Sequence, residues 1–115
     1  MNTAYHALIV PARLTHPVRI ETVNTDMAAL QKLVAGNIES VTGADWHAYL
    51  NDAGSRLPLN ARAEVLIREA GVQIEDAFNG TAVFLGHGRG GEELDAPRHL
   101  IRLAEQLFDS RLAAK

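Results

Sequence analysis

Residues 84–97 read FLGHGRGGEELDAP, and within them Gly86, Gly88 and Gly91 stand in a G-x-G-x-x-G spacing. Following an apolar strand and opening a helix, that spacing is a dinucleotide fingerprint, and the fold around it would be a doubly wound parallel sheet. The fingerprint needs its third glycine in the first turn of the helix, where backbone N–H groups and the helix dipole meet the pyrophosphate. Here the helical pattern starts only at Asp95, and Glu92 and Glu93 intervene and would repel phosphate. No room remains before Lys115 for a second strand carrying the ribose-binding acid. The stretch therefore reads as a flexible, exposed loop between the last strand and the last helix, presenting His87 and Arg89 to a partner or ligand.

Working back from this loop, TAVFL (81–85) is an apolar run suited to a central strand, preceded by the turn pair Asn79-Gly80. Ahead of it, Val72–Ile74 reads as a brief strand, and ARAEVLIREAG (61–71) as a helix capped by Asn60, with Val65, Leu66 and Ala70 facing inward. WHAYL (46–50) alternates like a strand, placing Trp46 and Tyr49 on opposite faces, and NDAGS (51–55) is a turn cluster. Met27, Leu30, Val34, Ile38 and Val41 recur at helical spacing behind the cap candidates Asn24, Thr25 and Asp26. Gly36 and Asn37 interrupt that helix, which either ends there or continues through tight packing. At the start, YHALIV (5–10) and the alternating segment 18–23 form two strands expected to pair as a hairpin around the loop PARLTHP. Downstream of the glycines, Leu100, Leu103, Ala104, Leu107 and Phe108 fit a helical stripe without a miss.

The expected order is ββαβαββα, a single α+β domain over residues 1–115 in which about five mainly antiparallel strands carry three helices on one face. At 47% hydrophobic residues the chain can build a core. With 14 acids against 11 bases, a net charge of -3 offers no broad basic face, so neither nucleic acid nor membrane is expected as a partner. No cysteine is present, which excludes disulfides and thiolate metal sites. The opening MNTAYHALIV lacks a basic n-region and its apolar run stops at Pro11, so the expectation is a cytoplasmic protein of a bacterial cell.

Taken together, ALIVPA, VRIETV, DMAALQKLVAGNIESV, AYLNDAGS, LPLNARA and GTAVFLG resemble the family catalogued as domain of unknown function 3846, found in phages, plasmids and related mobile elements. The likeness spans roughly residues 5 to 86, and its most specific parts are the LQKLVAGNIESV segment, the aromatic strand ending in an Asn-x-x-Gly turn and the Leu-Pro-x-Asn-x-Arg-Ala helix start. It implies a mobile-element source and a fold, and carries no activity, cofactor or catalytic residue. The stretch GHGRGGEELDA falls where the family is variable, which favours a loop.

The five histidines (His6, His16, His47, His87, His99) lack H-x-x-H or H-x-x-x-H spacing, so no metal site and no cofactor are expected. On their strands His6 and His47 read as partly buried, the other three as exposed. No nucleophile elbow or comparable trio is visible. The acid pairs Glu75-Asp76 and Glu92-Glu93 read as turn and helix-entry chemistry. Binding candidates are His87, Arg89, Asn60, Arg62, Asn37 and Tyr49, with Asn60 doubling as a plain helix cap. The leading expectation is a non-enzymatic, phage- or mobile-element-encoded accessory protein that binds a host or viral macromolecule, a protein partner above all, and so inhibits or modulates host function or defence. The alternatives are a binder of, or enzyme on, a nucleotide-like small molecule using the Gly86–Gly91 loop, and a self-associating structural protein such as a homodimer.

Overall fold

The computed structural model describes residues 4–52, 56–75 and 77–112. β1 (Ala4–Val10) and β2 (Arg19–Asn24) form the expected hairpin, with Leu8 opposite Ile20 and Ala7 opposite Glu21. The next element is α1 (Met27–Val34), capped by Asp26, whose carboxylate accepts from the Ala29 N–H. This helix ends at the glycine interruption. Ala35 takes a left-handed conformation at φ 64°, and the Asn51 side-chain amide donates to the Val34 and Ala35 carbonyls, supplying partners that a further helical turn would have supplied.

Beyond that end the chain forms a strand, β3 (Ile38–Thr42), and not more helix. Ile38 and Val41 match a helical period by coincidence, while Ile, Val and Thr within five residues favour the extended backbone. β3 pairs with β4 (Trp46–Asn51), and α2 (Ala61–Glu69) and β5 (Ala82–His87) come next. The residues expected as a strand at 72–74 belong to no strand, although Val72 and Ile74 pack on the core. β6 (Glu93–Leu94) pairs with the end of β5, and α3 (Arg98–Phe108) is the last element. The class is the expected one, α+β: among the described residues three helices accompany an antiparallel sheet in the order β2-β1-β5-β4-β3 with β6 on β5.

The helices do not share one face. Leu8, Val10, Trp46, Ala48, Leu50 and Phe84 pack with Ala63, Leu66 and Ile67 of α2 and Leu100 and Ala104 of α3. Alternate residues Ala7, Ile9, Val83 and Leu85 pack with Leu30 and Val34 of α1. The central strands are thus covered on both sides, which is why β1 and β5 read as continuous apolar runs instead of alternating. Trp46 and Tyr49 fall on opposite faces, as expected, with the Trp46 ring 5.8 Å from that of Phe84. Met27 and Val65, expected inward, are exposed, and Ile67 takes the inward place on α2. Asp76 and residues 53–55 of the expected turn clusters lie outside the described residues. Among the described residues no helix is long and apolar enough to cross a membrane.

The glycine stretch departs most from the sequence expectation. β1 and β5 stay paired from Val10 and Ala82 to Leu8 and Phe84, then part, and β6 fills the gap. Gly88 N–H donates to the Glu92 carbonyl and Gly91, at φ 83°, to that of Gly88, closing a hairpin. On its far side the chain is tied to β1, since Ala96 N–H donates to the His6 carbonyl and His6 N–H to the Asp95 carboxylate, both at 2.8 Å. Residues expected as a loop therefore extend the sheet.

Candidate functional site

Side-chain parity along β4, β5 and β6 brings four polar groups together on the α1 face: His47, Tyr49, His87 and Glu93. The Tyr49 hydroxyl donates to Glu93 Oε2 at 2.5 Å, and His47 Nε2 lies 2.7 Å from Glu93 Oε1. That second contact is off the ring N–H direction, leaving Nε2 and Oε1 without a well-aligned hydrogen bond among the described residues. The His47 ring stacks on His87 at 5.7 Å and meets Tyr49 edge-on at 4.9 Å. The Gly43 and Gly88 carbonyls lie 3.2 and 3.3 Å from the His87 ring nitrogens, and the neutral ring donates to one of the two according to its tautomer. Burial, followed by the hydrogen bond to and negative charge of Glu93, pushes the Tyr49 hydroxyl well above the usual phenol range. His47 is buried and His6 exposed, so the two strand histidines the sequence treats alike sit in different surroundings.

Two of the sequence candidates, Tyr49 and His87, thus meet in one cluster, and the other four stand apart from it. Arg89 is exposed on the glycine turn. Asn37 is exposed, and its carbonyl accepts from the Asp52 N–H. Asn60 is fully buried: its amide donates to the Val10 and Gly80 carbonyls at 2.8 Å each, and its oxygen accepts from the Ala63 N–H at 2.9 Å. Arg62 Nη2 reaches the carbonyls of Pro11 (2.8 Å), Arg13 (3.1 Å) and His16 (2.7 Å), while burial lowers the guanidinium's pKa from its ordinary value. Both side chains spend their hydrogen bonds on this chain's own backbone. His47 and Glu93 are the functional candidates that sequence reasoning missed. The available signal was a glycine turn spaced to fold an acid back beside His87.

A second feature lies on the opposite face. Between α3 and the β1–β2 hairpin lies a trough of about 410 Å³ lined by His6, Ile20, Asp95, Ala96, Ile101 and Leu112 together with Arg98, Arg102 and Glu105. Ile20, Ala96, Ile101 and Leu112 form its apolar part. Arg98, Ile101, Arg102 and Glu105 recur along one face of α3 at helical spacing. The two acids are engaged, since Asp95 accepts from the His6 N–H and Glu105 from the Leu112 N–H at 2.7 Å. Arg98 and Arg102 are exposed and form no ion pair among the described residues.

An antiparallel sheet with one helix on one face and two on the other, carrying a polar cluster and a trough flanked by arginines, defines a compact α+β protein with a surface concavity. The sequence assigns it more narrowly: residues 5–109 match the family described as Domain of unknown function (DUF3846), and the chain belongs to that family. The match runs past the β5 strand, through the glycine hairpin and along α3, further than the motifs within residues 5 to 86 suggest. No curated protein and no solved structure matches the chain.

Proposed function

We propose that this is a non-enzymatic accessory protein, encoded by a phage or related mobile element, that acts in the bacterial cytoplasm by binding a host or viral protein. The observation that carries this reading is the trough beside α3, where apolar side chains lie under two exposed arginines whose neighbouring acids are already engaged by backbone N–H groups. Such a surface offers apolar contact with unused cationic donors around it, the composition of a protein-recognition patch. The glycines close a hairpin instead of opening onto a helix N-terminus, which leaves the nucleotide alternative without its cradle.

The test is affinity capture with tagged protein from bacterial lysate, with and without phage infection, followed by native mass measurement of what is retained. The expected result is one partner protein at fixed stoichiometry. A clean null in both lysates overturns the reading.

A further inference from the structure

We infer that the open edge of β3 takes up an extended basic segment of another protein as an added strand. β3 ends the sheet at the side opposite β2, so this surface is separate from the α3 trough beside the β1–β2 hairpin. The strand register fixes which backbone groups the edge offers. Asp52 N–H donates to the Asn37 carbonyl and Gly43 N–H to that of Trp46, so in the same register Glu39 and Val41 turn their N–H and C=O groups toward β4. Ile38, Ser40 and Thr42 turn theirs outward, and among the described residues no backbone group pairs with them. Outward donors and acceptors at every second residue are what an incoming strand bonds to.

Charge names the occupant. On the α2 and α3 face, Glu39 and Val41 line a trough of about 330 Å³ together with Asp52, Ile74, Glu75 and Phe78. Glu39, Asp52 and Glu75 are exposed and form no ion pair among the described residues, and no base stands among the described residues of the lining. Arg68 reaches the nearby Ile74 carbonyl at 3.4 Å, but it pairs with Glu64 at 3.6 Å. The lining is therefore of one sign. A second copy of this chain would bring a second set of the same acids against the first, and an acidic segment would meet the same repulsion. A basic segment is attracted. In antiparallel pairing, the direction of every other pair in this sheet, residues opposite Ile38, Ser40 and Thr42 make the backbone bonds. Those opposite Glu39 and Val41 make none to β3 and set their side chains beside the trough, so the segment carries Lys or Arg at alternate positions.

The test uses the full chain and a fluorescein-labelled octapeptide alternating Lys and Thr, read by fluorescence anisotropy at low and physiological salt. The comparisons are a Glu-Thr octapeptide and two Lys-Thr octapeptides, N-methylated at Thr or at Lys. The expected result is that the Lys-Thr peptide binds, that salt weakens it, and that the Glu-Thr peptide does not bind. Methylating Thr, whose N–H groups face β3, should weaken binding by about tenfold or more, and methylating Lys, whose N–H groups face away, by less than about threefold. Glu39→Lys/Glu75→Lys should also weaken it by about tenfold or more, whereas Glu21→Lys/Glu92→Lys, the same charge change on the opposite edge strand and on the glycine turn, should leave it within about twofold. Far-UV circular dichroism verifies that both variants fold. Failure of the Lys-Thr peptide to bind, equal binding of the Glu-Thr peptide, equal loss from the two methylations, or indifference to the Glu39/Glu75 reversal each overturns the assignment. Light scattering of the chain alone should give a monomer; a dimer that Ser40→Pro breaks, by removing one outward N–H, gives the edge to a second copy and overturns it too. The peptide assay needs no cellular partner, so its failure leaves the lysate capture and the reading that capture tests untouched.

Discussion

Asn60 and Glu93 each join segments distant in sequence, and they do so by opposite means. Asn60 bonds only to backbone: it caps α2 and holds the end of β1 and the Gly80 carbonyl just ahead of β5. Glu93 bonds to side chains, a phenol on one oxygen and an imidazole facing the other. A neutral amide fixed to carbonyls and an N–H is satisfied in one orientation and changes little with conditions. A carboxylate placed between a phenol and an imidazole depends on the hairpin that delivers it. The first arrangement specifies the fold, and the second holds a local element whose energy can be tuned.

The largest effect is expected at the backbone-bonded node. Asn60→Ala removes the cap and leaves the Val10 and Gly80 carbonyls without their buried donor, a loss of about 3 kcal/mol from the sum of a cap and two unmade bonds. Asn60→Asp keeps the cap oxygen but neither donation, and buries a charge, so it should fall at least as far. Urea unfolding of both variants measures this; an Asp variant as stable as wild type would show that only the cap matters.

Next comes the geometry that delivers Glu93. Gly86 lies in β5 between two strands, and a Cβ there would stand 2.5 Å from the Asp95 carbonyl and 3.5 Å from that of Asp45, both backbone. Gly86→Ala must therefore push the β6 segment away, and a cost of about 2 kcal/mol is expected in urea unfolding. If the variant loses less than about 0.5 kcal/mol, the hairpin gives way freely and Glu93 is not held by the sheet.

At the Glu93 node, Tyr49→Phe removes one bond to a carboxylate and should cost about 1.5 kcal/mol near neutral pH. The pH dependence has a definite sign. Tyr49 is raised in the folded state, so the folded chain holds the proton more tightly than the unfolded one. Its contribution is then complete below about pH 10, the unfolded phenol value, and is lost as pH rises through the folded pKa. Tyr49→Phe should lose less stability than wild type between neutral pH and pH values above that range. Urea midpoints across the range check it, and parallel curves would show that the phenol is not linked to folding. Glu93→Gln should move the Tyr49 titration, followed by ultraviolet absorbance, part of the way back, because burial, the largest cause, remains.

The two nodes also differ in how far the sequence reveals them. Asn60 is legible, because Pro58 and a long apolar-periodic segment frame it as a cap, and capping is a local event. Its donations to Val10 and Gly80 are not, since they link residues 50 and 20 positions apart. Class, helix count and the first hairpin follow from periodicity. β3 does not, because Val34, Ile38 and Val41 keep a helical spacing across a helix end that the distant Asn51 side chain helps to set. The two-sided cover of the sheet is written in the unbroken run AVFL, but the alternating β2 points to a one-sided arrangement. The Glu93 node escapes because its members come from three segments, and its key residue reads as helix entry until the glycines ahead of it are seen to turn the chain back into the sheet.

The smallest effect is expected at Gly88, and it isolates what the glycines do. The atoms nearest a Cβ at Gly88 are those at the end of the exposed Glu92 side chain, 2.3 Å away at its carboxyl carbon, and that side chain can swing into solvent by giving up one exposed hydrogen bond from the Gly90 N–H. Gly88 has no positive φ, unlike Gly91 at 83°, so alanine brings no backbone strain. Gly88→Ala should therefore change stability by no more than about 0.5 kcal/mol, the ordinary range for a surface substitution. Gly91→Ala should cost about 1 kcal/mol, because the left-handed turn position disfavours a side chain. Urea unfolding of the pair orders them. If Gly88 proves the costlier, Glu92 is fixed in place and the turn carries a second structural acid beside Glu93; if Gly91 does, the glycine pattern reduces to one conformational requirement at the turn and one steric requirement at Gly86, neither of which asks for a phosphate.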